Sequence, residues 1–192
     1  KSRIKTVCNY SFLVLLTLAC DPAPQARSLP ERAVLANCPA ADSQSICLQT
    51  SVEVAARAQG IKSLEGFQAW AKGKPGASDS DKNRRQLAEF CAEHKRAAPK
   101  LLETFTADGP FLESVCKLGH YPLVGYWGGK SSRYGREVAH VVVLLHYGHN
   151  VVCIYDCNFP GPDQRYEWMT RKQFDARTIK SGQRWAFCLA GE

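Results

Sequence analysis

Nine cysteines and five histidines give this chain its most reactive side chains. One cysteine, one histidine and one aspartate among its residues have the types and spacing that nucleophilic catalysis needs. Cys47 stands where an amphipathic segment begins: Leu48, Val52, Ala55 and Ala56 recur at helical spacing and Gly60 supplies a stop. At a helix start the unsatisfied N–H groups and the helix dipole favour a thiolate, the form of cysteine that attacks a carbonyl. His140 interrupts the apolar run Val138-Ala139-His140-Val141-Val142-Val143, where an imidazole costs desolvation unless something pairs with it. Asp156 closes the next apolar run. A turn centred on Gly148 and His149 folds the two runs together and brings Asp156 near Ala139 to Val141, within reach of the imidazole. A carboxylate there fixes the tautomer and stabilises the imidazolium formed when the base takes the thiol proton. Asn158, two residues on, is the alternative orienter. Gln44 is the nearest upstream amide that could donate to an oxyanion, with the backbone N–H of Cys47 as second donor and Asn37 next in line. Singly, Cys47 also suits a disulfide with Cys38, and His140 a hydrogen-bonded core position. In the order helix-start cysteine, strand histidine, acid or amide closing the next strand, they form a pattern that unrelated core residues seldom produce.

The elements that must position these groups follow from periodicity and punctuation. The first helix spans Ile46 to Ala58, and a second short one Ser63 to Ala71, with Phe67 and Trp70 inward. Gly73 to Ser80 is a loop leading into a longer helix from Asp81, which carries Leu87, Phe90 and Cys91 and is broken by Pro99. Gly109-Pro110 opens another from Phe111 to Leu118, closed by Gly119. Beyond Gly119 the runs Tyr121 to Trp127, Val138 to His146 and Val151 to Asp156 are aromatic or β-branched and read as strands. The last two form a hairpin through Tyr147-Gly148-His149-Asn150, and the apolar stretch Val141 to Leu145 predicts a central strand covered on both faces. Arg165 to Met169 and Arg184 to Leu189 are further strands, with a capping box Thr170-x-x-Gln173 between them. Helices first and an antiparallel sheet second give an α+β domain. Trp127 would wall a cleft, whereas Trp70, Trp168 and Trp185 are core candidates, and Gly128 to Glu137 is a mobile polar loop just ahead of His140.

With 192 residues and 45% hydrophobic content, the chain suits one domain with a full core. The net charge of +7 contains Lys1, Arg3 and Lys5, and without them 22 basic side chains face 18 acidic ones, too mild an excess for a nucleic-acid partner. Those three basic residues, the apolar run from Val7 to Ala19 and the small Ala19 before Cys20 predict a signal peptide over 1–19. The run is shorter than the roughly 20 residues of a permanent membrane helix. Residues 20–36, with Pro22, Pro24 and Pro30, suit an extended tether, leaving 37–192 as the domain. Export permits disulfides. Removing Cys8 and setting Cys20 apart leaves seven cysteines, one nucleophile plus three possible pairs. No Cys-x-x-Cys pair is present and Cys153-x-x-x-Cys157 lacks a second half, so neither a zinc site nor a cofactor is expected.

Two resemblances sharpen these expectations. Thr17-Leu18-Ala19-Cys20 resembles a bacterial lipoprotein box, with Thr17 where leucine is usual, which implies an acylated Cys20 as the one membrane attachment. From about Asn37 onward the chain resembles the papain-like cysteine peptidases, in particular the branch related to the bacterial peptidases that trim bacteriocin leaders. The likeness is carried by Cys47 opening a helix, Tyr121-Pro122-Leu123-Val124, Ala139-His140-Val141-Val142-Val143, Ile154-Tyr155-Asp156-Cys157-Asn158 and Tyr166-Glu167-Trp168-Met169-Thr170. The family has Asp-Pro where this chain has Asp156-Cys157, and a glutamine some six residues before the cysteine, where Ala41 stands here. The resemblance implies a papain-like fold and an exported bacterial thiol hydrolase, periplasmic, lipid-anchored or secreted. It would be a monomer acting on protein or peptide substrates, with Cys47 as nucleophile, His140 as proton shuttle and Asp156 as orienter. A thiol amidase that cuts peptidoglycan stem peptides and a catalytically inactive papain-like binding module are the alternatives.

Overall fold

The apolar spacing after Cys47 becomes helix α1, Cys47–Gln59, whose residues from Cys47 to Ala56 are all buried. Gly60 ends it in the left-handed conformation (φ 77°), which costs glycine least. The computed structural model describes residues 28–42, 44–77 and 79–191, so the expected leader over 1–19 and Cys20 lie outside the described residues. The single second helix expected over Ser63 to Ala71 is split in two: a 3-10 turn at Lys62–Leu64 and helix α2, Phe67–Lys72. Gly66 separates them at φ 91°, a conformation that a continuous helix cannot contain. Helix α3, Ser80–Glu93, is capped by the Asp79 carboxylate accepting from the N–H of Lys82. Helix α4, Gly109–Lys117, is capped in the same way by Asp108, with proline in its first turn.

The strands are β1, Leu101–Thr104; β2, Leu123–Gly129; β3, Arg136–Tyr147; β4, Val151–Tyr155; β5, Tyr166–Thr170; and β6, Ala186–Leu189. They form one antiparallel sheet in the order β1-β6-β2-β3-β4-β5, and the architecture is α+β. Helix α5, Arg171–Thr178, starts at the capping box of Thr170 and Gln173. Strand β3 lies inside the sheet and alternates between two cores. Val143 and Leu145 pack with α1, Phe67 and Phe90, whereas Val142 and Leu144 pack with Leu112 of α4 and Phe174 of α5. Each such aliphatic side chain, fully buried, contributes about 1.5–3 kcal/mol.

The β3–β4 hairpin sets the distance between His140 and Asp156. Its turn is closed by the N–H of Gly148 donating to the Val151 carbonyl at 2.9 Å. The ladder pairs Val143 with Tyr155, so Asp156 stands one position past the last pair, within a residue of the expected register.

Three expectations are corrected. The tether over 20–36 does not extend to residue 36. Leu29 and Ala33 belong to the core on the α1 side, Arg57 donates to the Arg32 carbonyl, and the Tyr155 hydroxyl donates to the Leu35 carbonyl at 2.7 Å. Burial of two apolar side chains outweighs the break that Pro30 announces. The three expected disulfides are not formed by Cys38, Cys47, Cys91, Cys153, Cys157 and Cys188, which are free thiols. All but Cys38 are buried, and Cys91, Cys153 and Cys188 lie within packed elements as small apolar side chains. Trp168 is 45% exposed on edge strand β5 rather than in the core. Among the described residues no helix is long and apolar enough to cross a membrane.

Candidate active site

Helix α1 delivers Cys47 at its first residue, strand β3 delivers His140, and the segment leaving β4 delivers Asp156, so the structure brings together the three residues that the sequence singled out. His140 Nε2 lies 2.8 Å from Asp156 Oδ1. Nδ1 is thereby the nitrogen left free of the carboxylate, and the thiols of Cys47 and Cys157 both interact with the imidazole. Cys47 is 9% exposed, His140 6% and Asp156 0%.

The surroundings favour a thiolate–imidazolium pair. Burial pushes the Cys47 thiol up, but hydrogen bonds and charge from His140, a hydrogen bond from the Ser45 hydroxyl and one from the Val141 N–H bring it below its ordinary value. Burial alone would also lower His140. The Asp156 hydrogen bond, followed by those with Cys157 and Cys47, raises it above the usual imidazole range. Burial opposes the charge on Asp156, yet the imidazolium, the Asn158 N–H and the Tyr134 hydroxyl hold its carboxyl below the usual range.

The Asn158 side chain is bonded to groups other than His140. Its Nδ2 donates to the Tyr134 hydroxyl at 2.8 Å and its Oδ1 accepts from Asn37 Nδ2 at 2.7 Å, while its backbone N–H donates to Asp156 Oδ1 at 3.0 Å. Gln44 is exposed, its side chain lies along Gly76, and it hydrogen-bonds neither Cys47 nor His140. A solvated amide on a turn is not the fixed donor expected for an oxyanion. Ser45 holds the position next to the thiol: its Oγ accepts from the Cys47 N–H at 3.3 Å and from Asn37 Nδ2 at 2.7 Å. Asn37 and Ser45, with Cys38 and Pro39, line a pocket of about 280 Å³ on this side of Cys47.

Ser45, Tyr134 and Cys157 were not picked out by the sequence as site residues. A serine two positions ahead of a helix-start cysteine is a usable signal, because such hydroxyls reach back to first-turn groups. Tyr134 carries no signal, since its glycine- and serine-rich loop has no periodicity. That loop is anchored rather than mobile: Arg177 donates to the Ser131 carbonyl at 2.6 Å and Arg133 pairs with Glu167 at 3.0 Å. Cys157 is buried beside His140, and burial pushes its thiol up. His140, Asp156 and Cys157 offer nitrogen, oxygen and sulfur atoms within 4.8 Å of one another, a donor set of the kind a metal ion uses.

Comparison with protein-family models, with curated proteins and with solved structures finds no match for this chain.

Proposed function

We propose that the protein is a cysteine peptidase of papain-like type, acting on peptide bonds of protein or peptide substrates. The observation that supports this most is the continuous line Cys47, His140, Asp156: a buried helix-start thiol against an imidazole whose far nitrogen is held by a carboxylate at 2.8 Å.

The Cys47 thiolate attacks the carbonyl carbon, and the carbonyl π electrons move to oxygen. When the C–N bond breaks, the Nδ1 proton of His140 passes to the departing amine, leaving a thioester on Cys47. Water then gives a proton to Nδ1 as it attacks the thioester, and release of the acid restores thiolate and imidazolium. Asp156 keeps the proton on Nε2 throughout and so presents Nδ1 to sulfur, amine and water in turn.

The test is hydrolysis by the full chain of a denatured-protein and peptide panel, with purified peptidoglycan sacculi alongside. Cleavage in the panel that is lost in Cys47→Ala is the expected result; cleavage of sacculi alone would replace the peptidase with the peptidoglycan amidase. One observation favours a second role, that of a binding module without turnover: Gln44 is exposed and Ala41 stands where the resemblance calls for glutamine. No Cys47-dependent cleavage of either substrate would establish it in place of the peptidase.

A further inference from the structure

Asp156 is fully buried, so each of its carboxylate oxygens needs a donor within the protein. Oδ1 has three: His140 Nε2 at 2.8 Å, the Asn158 N–H at 3.0 Å and the Tyr134 hydroxyl at 3.1 Å. Oδ2 is served by the Tyr134 hydroxyl, at the shorter distance of 2.8 Å. Without that hydroxyl the carboxylate keeps its crowded oxygen and orphans the other, and it regains a donor only by rotating or by admitting water. Either change moves the acceptor out of line with Nε2. The Tyr134 ring covers the same pair, edge-on to the His140 ring at 5.9 Å and against Phe159 at 5.3 Å.

The chain spends several interactions on placing this tyrosine. Gly128 bends β2 at φ 67°, where any side chain would meet the Arg136 carbonyl at 2.7 Å. The turn that follows is tied by Ser132, which donates to the Gly129 carbonyl through its hydroxyl and accepts from the Tyr134 N–H. From outside, Arg177 holds Ser131, and Arg133 holds Glu167 and the Gln164 carbonyl while lying 4.7 Å over the Phe159 ring. Asn158 fixes the hydroxyl from its other side, and Asn37 fixes Asn158. Apart from the Asn158 bond, these anchors do not pass through the Tyr134 hydroxyl, so the loop keeps its shape when that oxygen is removed.

We propose that Tyr134 is a positioning residue of the site: its hydroxyl aims the Asp156 carboxylate at His140 Nε2 and its ring keeps water off that bond. In its kinetic consequences this rests on the peptidase function proposed above; in its structural consequence it does not.

Tyr134→Phe removes the hydroxyl and keeps the ring. Its kcat is expected to fall about tenfold or more, the worth of one hydrogen bond to a charged group, with KM within about twofold. In an Asp156→Ala background the same change is expected to have no further effect, because Tyr134 acts through that carboxylate. An equal loss in both backgrounds, or an unchanged kcat, would overturn the proposal in favour of a merely structural tyrosine. A second measurement requires no turnover: proton exchange at His140 Nε2, followed by NMR in the nitrogen-15-labelled full chain. The wild-type proton is expected to be protected, and to exchange about tenfold faster or more in Tyr134→Phe. Equal exchange in the two proteins, or a wild-type proton as labile as that of an exposed imidazole, would overturn the positioning role. Protection in a protein that hydrolyses nothing would leave it standing while the peptidase function fell.

Discussion

Asp156 and Asn158 stand two residues apart at the end of β4 and share the Tyr134 hydroxyl, yet the aspartate takes His140 Nε2 at 2.8 Å and the asparagine takes Asn37 at 2.7 Å. The chain reverses between them. The Asn158 N–H folds back to Asp156 Oδ1, and the Phe159 N–H donates to the Asp156 carbonyl at 3.0 Å. Such a turn separates two side chains that continued strand geometry would have left on one face.

Asp156→Ala is therefore expected to lower turnover on the order of 10³- to 10⁴-fold, the scale seen when the orienting acid of a nucleophile–histidine pair is lost. Asn158→Ala removes only a support of Tyr134, and about a tenfold loss is expected. Steady-state kinetics on both variants, with circular dichroism to verify the fold, decide between the two residues. Equal losses, or a larger one in Asn158→Ala, would overturn the assignment of the orienting role to Asp156.

The second expected outcome concerns pH. The Cys47 thiol is below its ordinary value in the folded chain and the His140 imidazole above its own, so the ion pair forms below the usual thiol range and survives past the usual imidazole range. Iodoacetamide at about pH 6, where an unperturbed thiol is almost wholly protonated, should label Cys47 first. Burial pushes Cys91, Cys153, Cys157 and Cys188 up, and these should label only on unfolding. His140→Ala removes the positive partner and should move the onset of Cys47 labelling to higher pH. Time-resolved peptide mapping reads this, and earlier labelling of the half-exposed Cys38 would contradict it.

Much of this arrangement was legible in the residues. Pro110 in a first turn, and Thr170 with Gln173 as a capping box, announce helix starts, whereas the caps Asp79 and Asp108 were found only in the structure. The run Val141 to Leu145 announces a strand buried on both faces, and two such strands joined by a tight turn bring His140 and Asp156 together. Strand β1 was not legible: its four residues, Leu-Leu-Glu-Thr, are half-exposed at the sheet edge and take their extended form from pairing with β6 alone. The docking of Leu29 and Ala33 was hidden too, since proline-rich composition speaks for the backbone and says nothing of a cavity waiting in the core. Tyr134 was out of reach for the same reason. Its role depends on a loop being delivered to Asp156, 22 residues away in sequence.

Ser45 and Gln44 give a third expected outcome. Gln44 is exposed, so Gln44→Ala should change turnover by less than about twofold, as surface substitutions away from the site do. The Ser45 hydroxyl helps hold the thiolate, and one hydrogen bond to a charged group is worth about 1.5–3 kcal/mol. Ser45→Ala should accordingly shift the onset of Cys47 alkylation to higher pH. A large loss in Gln44→Ala with an unmoved alkylation profile would restore Gln44 as the oxyanion donor, because alkylation builds no oxyanion.

Glu53 supports the helix that carries Cys47, and its expected effect is on stability. The side chain is 1% exposed. Its Oε1 accepts from Arg57 at 2.6 and 2.8 Å and from the Gly66 N–H at 2.8 Å, and its Oε2 accepts from the Gln68 N–H at 2.6 Å. One carboxylate thus ties α1 to the first turn of α2, just where Gly66 breaks the chain. Glu53→Ala would strand the Gly66 and Gln68 N–H groups and leave Arg57 its bond to the Arg32 carbonyl, and each buried donor left unpaired costs about 1–3 kcal/mol. Arg57→Ala leaves the carboxylate its two backbone donors and removes a side chain that is 29% exposed, so about 1–2 kcal/mol is expected. Urea unfolding of the two variants measures the difference. Equal midpoints would mean that the guanidinium, rather than the junction of α1 and α2, is what Glu53 stabilises.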